Sequence, residues 1–424
     1  MAKESAGKEG TAVLAYSGGL DTSVAIQWIK EKYGTEVIAV TVDVGQQEDL
    51  REASQRALEN GAAKAYVVDA TDEFANEFIS SAIKANALYE GKYPLSTALA
   101  RPLIAAKIAA LAVHEGATHI AHGCTGKGND QVRFELTLRA LIPEMRIIAP
   151  IREWNMNREE EQIYAREKGI KLRSSVPSRF STDENLWGRS IEGGELEDPA
   201  TEPPEEIYAW TGHPETWPSA PEYAEIVFER GIPVELNGEK LPLSELIRRM
   251  NQLAGRHGVG RIDHMEDRVV GIKSRENYEC PAAISLITAH RALESLVLSK
   301  EMLQFKSVVE QRFSELVYTG MWFSELMEAL QSFIETSQEN VSGYVRVRMQ
   351  RGTVSVAGIS SDHSLYATDL STYGVGDSFN QKASEGFIYI LSLPIAGRMR
   401  TALQELSLSN VRETTLERKI QPSG

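Results

Sequence analysis

Strand-like and helix-like segments alternate along the chain from residue 11 to residue 169. The strand-like segments are short runs of aliphatic and β-branched residues, whereas apolar residues in the intervening segments recur at helical spacing. The predicted strands are residues 11–16, 36–44, 63–70, 118–123 and 146–151, and the predicted helices are residues 22–32, 48–60, 72–89, 99–115 and 157–169. This alternation predicts an α/β fold with a doubly wound, mostly parallel sheet. Ligands of such sheets bind at the carboxyl ends of the strands.

The alternation stops near Ser174, and the pattern beyond it predicts an α+β region. The predicted elements there are hairpins over residues 224–236 and 343–358 and helices over residues 243–257, 281–319, 323–339 and 396–405. An acidic, proline-rich stretch at residues 195–206 predicts a solvated surface loop. The chain thus divides into a frayed tail at residues 1–10, a first part at 11–174 and a second part that begins at residue 175.

Composition argues against several classes of protein. The net charge of −15 disfavours a broad nucleic-acid interface, which needs a basic face. The two cysteines, Cys124 and Cys280, form neither a CxxC pair nor a zinc-binding spacing, so we expect no disulfide framework and a cytosolic protein. Residues 1–10 lack the apolar core of a secretory signal, and we expect no stretch that approaches the roughly 18 apolar residues of a membrane span.

A glycine-rich loop, AYSGGLDTS at residues 15–23, joins the first predicted strand to the first predicted helix. Glycines allow close backbone approach, and N–H groups at a helix start favour an anion, so the loop suits a phosphate. A plainer alternative is a tight turn in which Ser17 or Thr22 caps the helix. A Walker A loop is excluded by sequence, because GCTGKG at residues 123–128 has Gly128 where serine or threonine is needed. The spacing of a dinucleotide-binding loop is absent as well.

The pattern S-G-G-x-D-S/T in this loop resembles the PP-loop of the N-type ATP pyrophosphatases. Those enzymes cut ATP between its α and β phosphates and adenylate a substrate oxygen. Four further stretches, in order and spacing, look like argininosuccinate synthases over nearly the whole chain. They are YPLSTALARP at 93–102, HGCTGKGNDQVRFEL at 122–136, STDENLWGRS at 181–190 and GVGRIDHMEDRVVGIKSRENYECP at 258–281.

This resemblance implies an enzyme that condenses citrulline with aspartate to argininosuccinate, the penultimate step of arginine biosynthesis. ATP would yield AMP and pyrophosphate through a citrullyl-adenylate intermediate, with Mg²⁺ accompanying the nucleotide. It implies an adenine nucleotide alpha-hydrolase-like domain over 11–174, a synthetase and multimerisation domain over 175–380, and an oligomerisation arm over 381–424. It further implies a cytoplasmic homotetramer with small-molecule substrates and with neither nucleic-acid nor membrane partners.

The resemblance also implies which residues form the site. The residues implied for ATP are Ala15, Tyr16, Ser17, Gly18, Gly19, Leu20, Asp21, Thr22, Ser23, Val42 and Gly123, with Ser17 and Asp21 counted as catalytic. Those implied for aspartate are Thr97, Thr125, Asn129 and Asp130. Those implied for citrulline are Tyr93, Ala98, Asn129, Arg133, Ser181, Ser190, Glu266 and Tyr278. No metal site made by the protein alone is implied, although Asp21 suits a place near Mg²⁺ or a helix end.

Several of these residues have plainer interpretations. Tyr93 and Tyr278 could be packing tyrosines, and Arg133 a charge on a helix surface. Ser181 could cap a helix and Glu266 could be a solvated acid in a turn.

Three positions depart from the family pattern. Ala98 stands where the family often has serine, so a hydroxyl contact to citrulline would fall to Ser96 or Thr97. Cys124 stands where alanine is usual, and we interpret it as a small buried residue and not a nucleophile. Cys280, where threonine is common, is interpreted in the same way.

Two other classes of protein predict different sequence features. A different PP-loop enzyme, such as a tRNA-thiolating or amide-forming synthetase, predicts paired cysteines, a zinc cluster, a basic face or a glutaminase domain. A non-catalytic nucleotide-binding regulator predicts loss of the block from Glu266 to Tyr278. The sequence contains none of the first set of features, and it retains that block.

Overall fold

The computed structural model describes residues 10–154, 156–172 and 179–403. The chain divides into two compact units, one ending at Leu365 and the other beginning at Tyr366, and each is described by itself. The predicted tail at 1–10 lies outside the described residues apart from Gly10, and the predicted boundary between residues 174 and 175 lies outside them too. The three boundaries between the four predicted segments stay predictions.

A parallel sheet forms the first part of the first unit. Its strands are β1 (Thr11–Ala15), β2 (Glu36–Asp43), β3 (Lys64–Asp69), β4 (His119–His122) and β5 (Arg146–Ile148). They pair in parallel in the order β3-β2-β1-β4-β5. The strand order reverses between β1 and β4, and the crevice at the carboxyl ends of these strands is where such sheets bind ligands. The predicted α/β class and doubly wound sheet are confirmed.

Helices connect these strands and cover both faces of the sheet. They are α1 (Leu20–Tyr33), α2 (Leu50–Glu59), α3 (Thr71–Glu73), α4 (Ser80–Lys84), α5 (Ser96–His114), α6 (Asp130–Leu141), α7 (Pro150–Trp154) and α8 (Arg158–Glu167). The start of α8 follows from a capping box, in which the Asn157 side chain accepts from the Glu160 N–H and the Glu160 carboxylate accepts from the Asn157 N–H.

Two predicted bounds in this part were wrong. The predicted helix at 72–89 ends at Lys84 and contains a π-helical stretch at Phe74–Ile79. Beyond it Asn86 has a φ of 44°, a left-handed conformation that cannot continue the helix. The predicted strand at 146–151 ends at Ile148, because Pro150 has no N–H for a sheet and instead starts α7.

Helix α5 is the apolar core helix of this part. Among the described residues it is long and apolar enough to cross a membrane by length and composition, with a mean hydropathy of 1.4. The expectation that no stretch would approach that composition was therefore wrong. Burial explains the composition, since 56% of this stretch is buried inside the protein and α5 packs on β1 and α6.

Antiparallel sheets dominate the rest of the first unit. Their strands are β6 (Ser181–Asn185), β7 (Gly188–Glu192), β8 (Glu222–Glu229), β9 (Ile232–Leu236), β10 (Glu239–Lys240), β11 (Arg261–Asp267), β12 (Lys273–Glu279), β13 (Gly343–Gln350) and β14 (Thr353–Ser360). One sheet has the order β10-β9-β8-β13-β14 and contains both predicted hairpins. The other has the order β11-β12-β7-β6, and none of its strands was predicted.

The remaining helices are α9 (Leu243–Arg256), α10 (Pro281–Val297), α11 (Lys300–Tyr318), α12 (Glu325–Ser337), α13 (Thr368–Ser371) and α14 (Ala383–Leu403). The predicted single helix at 281–319 is broken, because Ser299 is extended and its side chain caps α11 by accepting from the Met302 N–H. The predicted final helix at 396–405 belongs to the longer α14 of the second unit, and residues 404 and 405 lie outside the described residues.

The acidic stretch at 195–206 is mostly exposed, as predicted, but it is anchored. Short 3₁₀ turns occur at Gly194–Glu197 and Glu205–Ile207. Leu196 and Ile207 are buried with Ile191 in a small apolar cluster. The loop is therefore held against β7 by aliphatic side chains within it.

Candidate active site

A cavity of about 840 Å³ opens at the carboxyl ends of β1, β2 and β4. Strands β6, β7, β11 and β12 supply its other wall. The predicted site residues that line it are Ala15, Tyr16, Ser17, Gly18, Gly19, Thr22, Val42, Tyr93, Thr97, Gly123, Thr125, Asn129, Asp130, Arg133, Ser181, Ser190, Glu266 and Tyr278. The predicted residues that do not line it are Leu20, Asp21, Ser23 and Ala98. The fold thus brings residues from distant parts of the chain to one cavity.

The loop between β1 and α1 has the backbone form of an anion-binding site. Gly18 has a φ of 76°, and a Cβ there would lie 3.1 Å from Nη2 of Arg56. Gly19 is the N-cap of α1, and no side chain caps the helix there, so the interpretation of Ser17 or Thr22 as the cap is not supported. The Ser17 and Thr22 hydroxyls lie 3.2 Å apart at the cavity wall. A glycine-rich turn that leads into the start of a helix suits a phosphate, and the predicted contact of this loop with ATP stays a prediction.

Gly123, at the end of β4, packs directly on this loop. A Cβ there would lie 2.7 Å from Cγ2 of Thr22, so only glycine fits between the strand end and the first turn of α1. At the neighbouring strand end, the Val42 carbonyl accepts a hydrogen bond from Nε2 of Gln46 at 2.9 Å. The predicted adenine contact of the Val42 backbone stays a prediction.

Asp21 faces away from the cavity and toward α8. Its carboxyl group lies close enough to that of Glu161, which is 5% exposed, to affect the ionisation of Glu161. Burial, and then this contact with Asp21, raises the pKa of Glu161 to about 8. The geometry thus assigns Asp21 a contact that supports the base of α1, and its catalytic role stays a prediction.

Arg101 lies in α5 and lines the cavity. Its Nη2 lies 2.8 Å from the Asp130 carboxylate and 2.6 Å from the Asp183 carboxylate. Arg133 contacts the other oxygen of Asp130 at 2.9 Å. Burial opposes ionisation of Asp130, but the two guanidinium groups outweigh it and lower the pKa of that carboxyl. Asp130 is therefore ionised and suited to an ammonium group.

Aromatic side chains and a buried carboxylate form the far end of the cavity. Tyr93 and Tyr278 are stacked with ring centroids 4.1 Å apart, and the Tyr278 hydroxyl donates to Oε2 of Glu266 at 2.8 Å. Glu266 is 3% exposed in β11, so its interpretation as a solvated turn acid was wrong. The interpretation of Ser181 as a helix cap was wrong too, because it begins β6. The two tyrosines pack against each other, as the plainer interpretation predicted, but they also line the cavity.

Arg133 is a buried charge and not a surface one. It is 4% exposed, and its Nε donates to the Tyr318 carbonyl at 2.8 Å. Its Nη2 has no hydrogen-bond partner within residues 10–154, 156–172 and 179–403. A buried donor without a partner is costly, and an anionic ligand in the cavity would satisfy it.

A second charged cluster in the cavity was missed by the sequence analysis. Arg268 lies 2.5 Å from Glu192 and 2.6 Å from Glu276, and all three residues line the cavity. Burial, followed by the charges of Glu192 and Glu266, raises the pKa of Glu276 to about 8. Arg268 and Glu276 lie within the quoted block 258–281, but the polar pattern there did not indicate which of its charges turn inward.

The departures from the family pattern are accommodated. Ala98 is fully buried, whereas Thr97 lines the cavity and its N–H donates to the Tyr93 hydroxyl. Burial raises the pKa of the Cys124 and Cys280 thiols, which argues against a nucleophilic role for either. Cys280 is buried as expected, whereas Cys124 is only half-buried and lines the cavity, so its interpretation as a buried residue was wrong. A Cβ at Gly188 would lie 2.5 Å from Sγ of Cys280, so the strand passes directly over this sulfur.

The parallel sheet, the S-G-G-x-D-T loop and the cavity beyond it define an ATP-using synthetase with an HUP domain. Two sequence profiles match the chain: "Arginosuccinate synthase N-terminal HUP domain" over residues 11–171 and "Arginosuccinate synthase C-terminal domain" over residues 180–397. The chain belongs to the argininosuccinate synthase family.

Relatives of the same name match the chain over most of its length. An argininosuccinate synthase of Dehalococcoides mccartyi is 54% identical over 395 residues, which are 93% of this chain and 97% of the relative. One of Bacillus cereus is 54% identical over 382 residues, which are 90% of this chain and 95% of the relative. Among solved structures, a U34-tRNA thiolase of Methanococcus maripaludis covers 41% of this chain and 61% of its own at 15% identity, with a TM-score of 0.29, too slight a likeness to bear on function.

Proposed function

We propose that this protein condenses citrulline with aspartate to form argininosuccinate, with ATP converted to AMP and pyrophosphate. The observation that carries the proposal is the single cavity, which joins a phosphate-binding loop to buried groups suited to amino acids. Arg133 and Glu266 supply opposite charges at its far end, and Asp130 supplies a carboxylate between that end and the loop. A nucleotide and two amino acids each have complementary groups in such a cavity.

The first step forms a citrullyl-adenylate. The ureido oxygen of citrulline attacks the α-phosphorus of ATP, and the bond to the β-phosphate oxygen breaks to release pyrophosphate. The backbone N–H groups of the loop at Gly18 and Gly19, with the Ser17 and Thr22 hydroxyls, hold the charge that develops on the leaving phosphates. The chain's contribution is to hold the reacting atoms in line.

The second step forms the carbon–nitrogen bond. The aspartate amine attacks the activated carbon of the adenylate, and AMP leaves with the oxygen that came from citrulline. Asp130, which two arginines keep ionised, receives the aspartate ammonium, while Thr125 and Asn129 suit its carboxylates. The attacking nitrogen, which begins as an ammonium, loses two of its three protons and keeps the third in the product.

The far end of the cavity holds citrulline by its amino-acid group. The unpartnered Nη2 of Arg133 is free to bind the α-carboxylate, and the Glu266 carboxylate pairs with the α-ammonium. The stacked Tyr93 and Tyr278 close this end against water. With both charges fixed, the ureido group of citrulline extends back toward the phosphate-binding loop.

ATP enters with Mg²⁺ bound to its phosphates. Among the described residues there is no group of three or more His, Cys, Asp or Glu side chains that could hold a metal ion, so we assign the ion to the nucleotide. The ion would neutralise charge on the phosphates and orient them.

We propose a cytoplasmic homotetramer with the arm at 381–424 as a contact between subunits. Helix α14 of that arm exposes large apolar side chains to solvent within its described part, among them Phe387, Ile388 and Ile390. Exposed faces of this kind mark interaction surfaces. Sedimentation of the full chain and of a chain ending at residue 380 would test this.

The assay of the activity measures pyrophosphate release from MgATP by the purified protein, with argininosuccinate followed by mass. Turnover is expected only when citrulline and aspartate are both present. Arg133→Ala is expected to lower kcat/KM for citrulline by at least about a hundredfold, because a buried charged contact is lost. Arg139→Ala, which removes an exposed arginine from the same helix, is the matched control and should match wild type.

Asp21→Ala tests the separate assignment of Asp21 as catalytic. A large loss of turnover with an unchanged melting temperature would support that role. A loss of stability alone would assign Asp21 to the contact with Glu161 instead. If the wild-type protein binds ATP but forms no argininosuccinate when citrulline and aspartate are both present, the proposed function is contradicted. That result would favour a nucleotide-binding regulator.

A further inference from the structure

Tyr318, the last residue of α11, contacts several of the predicted site residues although the sequence did not indicate it. Its hydroxyl accepts a hydrogen bond from Nδ2 of Asn129 at 2.8 Å and donates one to Oε1 of Glu266 at 2.8 Å. Its carbonyl accepts from Nε of Arg133 at 2.8 Å. The residue is 1% exposed and is not part of the cavity lining. It therefore lies directly behind the groups assigned to citrulline.

The direction of these hydrogen bonds is fixed by the backbone. The Val269 N–H, which can only donate, bonds to Oδ1 of Asn129 at 2.9 Å. The amide nitrogen of Asn129 must then face Tyr318 and donate to its oxygen. The hydroxyl proton of Tyr318 is left for Glu266. The chain of donors runs one way, from Val269 through Asn129 and Tyr318 to the carboxylate.

The Glu266 carboxylate is held by a phenol at each oxygen. Oε1 accepts from Tyr318 and Oε2 from Tyr278, both at 2.8 Å. Two fixed donors on different atoms set the plane of a carboxylate as well as its position. A carboxylate held in this way keeps one side-chain conformation, with its remaining lone pairs available to a ligand. Such preorganisation is what precise binding of an ammonium group requires.

We propose that Tyr318 is a positioning residue for the amino-acid end of the cavity. Through one hydroxyl it orients both Glu266 and Asn129 toward citrulline, without itself touching the substrate. This inference rests on the function proposed above and adds to it a residue outside the cavity that determines citrulline affinity. It follows from the geometry of the hydroxyl, which joins two separate elements of the site.

Packing alone does not account for a tyrosine here. The ring stacks on Tyr89 at 3.6 Å between centroids, and the Arg133 guanidinium lies over it at 4.8 Å. A phenylalanine would make both contacts. Burying a hydroxyl carries a desolvation cost that phenylalanine avoids, and here that cost is offset only by the bonds to Asn129 and Glu266.

Gly320 explains how the end of α11 comes so close to α6. It has a φ of 80°, and a Cβ there would lie 2.7 Å from the Cα of Arg133. The chain can turn back against α6 only with glycine at this position. The Tyr318 carbonyl is thereby held within hydrogen-bond distance of the Arg133 side chain.

Tyr318→Phe in the full-length protein is the test, with Tyr89→Phe as its matched control. Both variants remove one phenol hydroxyl from the same ring stack, but the Tyr89 hydroxyl donates to the Asp267 carbonyl, whereas the Tyr318 hydroxyl bonds to Asn129 and Glu266. Tyr318→Phe is expected to raise KM for citrulline about tenfold while KM for ATP stays within about twofold, as expected for lost binding at one end of the cavity. Tyr89→Phe is expected to leave every KM within about twofold of wild type.

A double-mutant cycle shows whether Tyr318 acts through Glu266. In a Glu266→Ala background, Tyr318→Phe is expected to raise KM for citrulline by less than about threefold, because its acceptor is gone. An undiminished tenfold effect in that background would overturn the inference. The inference would also be overturned if Tyr318→Phe had the same KM values as Tyr89→Phe. It would be overturned as well if Tyr318→Phe lost stability and lost affinity for all three substrates equally.

The proposed function and this inference fail in different ways. If wild type forms no argininosuccinate, the proposed function fails, and the inference fails with it because Glu266 then has no citrulline to receive. If wild type is active and Tyr318→Phe behaves like Tyr89→Phe, only the inference fails.

Discussion

Arg101 in α5 and Asp183 in β6 form an ion pair across the cavity, with 2.6 Å between Nη2 and Oδ2. The same nitrogen lies 2.8 Å from the carboxylate of Asp130, the residue assigned to aspartate. One guanidinium group therefore ties the parallel-sheet part of the chain to the antiparallel sheet that faces it. Arg101 thus joins the two walls of the cavity through a charged side chain that is only 15% exposed.

Replacing Arg101 by lysine tests that contact. Lysine keeps the charge, but its nitrogen is one bond closer to the backbone than Nη2 of arginine, so it cannot reach both carboxylates. Arg101→Lys is therefore expected to cost about 1–3 kcal/mol of the free energy of unfolding. Turnover is expected to fall at least about tenfold. Urea unfolding and steady-state kinetics measure the two effects. Arg249→Lys, at an exposed pair with Glu239, is the control and should change stability by less than about 1 kcal/mol.

Gly18→Ala tests the backbone form of the phosphate-binding loop. The alanine Cβ would strain the left-handed conformation and press on Arg56, so KM for ATP is expected to rise at least about tenfold. Gly34→Ala is the matched control, because Gly34 has a φ of 65° at the end of α1 but nothing within 4 Å of the added Cβ. It should cost about 1 kcal/mol of stability and leave KM for ATP unchanged. Equal effects of both variants on KM would contradict the loop assignment.

Glu161→Gln tests the carboxyl pair beneath α1. Burial and Asp21 raise the pKa of Glu161 to about 8 from an ordinary value of 4.5. The native protein therefore binds an extra proton between these values, and its free energy of unfolding falls as pH rises through that window. Glu161→Gln removes this pH-dependent contribution to the free energy of unfolding. The variant should therefore lose less stability than wild type between about pH 5 and about pH 8. Urea unfolding across that range measures it.

Glu159→Gln, on the exposed side of the same helix, serves as control for that measurement. Its pH dependence should follow that of wild type. If the free energy of unfolding changed with pH in the same way for wild type and Glu161→Gln, the native protein would not bind an extra proton at this carboxyl pair.

Cys124→Ala tests the interpretation of the cavity cysteine as a packing residue. Burial raises the pKa of this thiol, so little thiolate is present at neutral pH and no covalent step is assigned to it. The variant is expected to keep kcat within about threefold of wild type, since alanine removes only one small side-chain atom. Iodoacetamide should alkylate Cys124 of wild type slowly until the protein is unfolded. Rapid inactivation that ATP does not slow would contradict this interpretation.

Local patterns predicted the parallel sheet because each of its elements carries its own signal. Strands β1 and β2 are buried on both faces and are therefore almost continuously apolar, while helical spacing marks α1 and α2. The loop at residues 15–23 stands where these two signals meet. For the same reason the hairpins at β8–β9 and β13–β14 were predicted, since both alternate and turn at an Arg–Gly pair.

The sheet β11-β12-β7-β6 carries no such signal. Sequences such as KSRENYE in β12 are polar because the cavity-facing side chains are charged and are neutralised by partners on other elements. Hydrophobic periodicity in a sequence indicates burial among apolar side chains. A strand that buries paired charges lacks this periodicity, so its sequence resembles that of a loop. The break at Ser299 was missed for a related reason, as apolar residues continue on both sides of it.

The sequence by itself determined the α/β class, the glycine-rich loop at residues 15–23 and 18 of the residues that line the cavity, because each rests on a local pattern or a contiguous block of residues. Only the tertiary structure decided which charges meet. It turned Asp21 toward Glu161, placed Arg101 between Asp130 and Asp183, and set the Tyr318 hydroxyl between Asn129 and Glu266. Hydrogen bonds and ion pairs depend on distances of a few tenths of an ångström between residues far apart in the chain, and no local pattern encodes those distances.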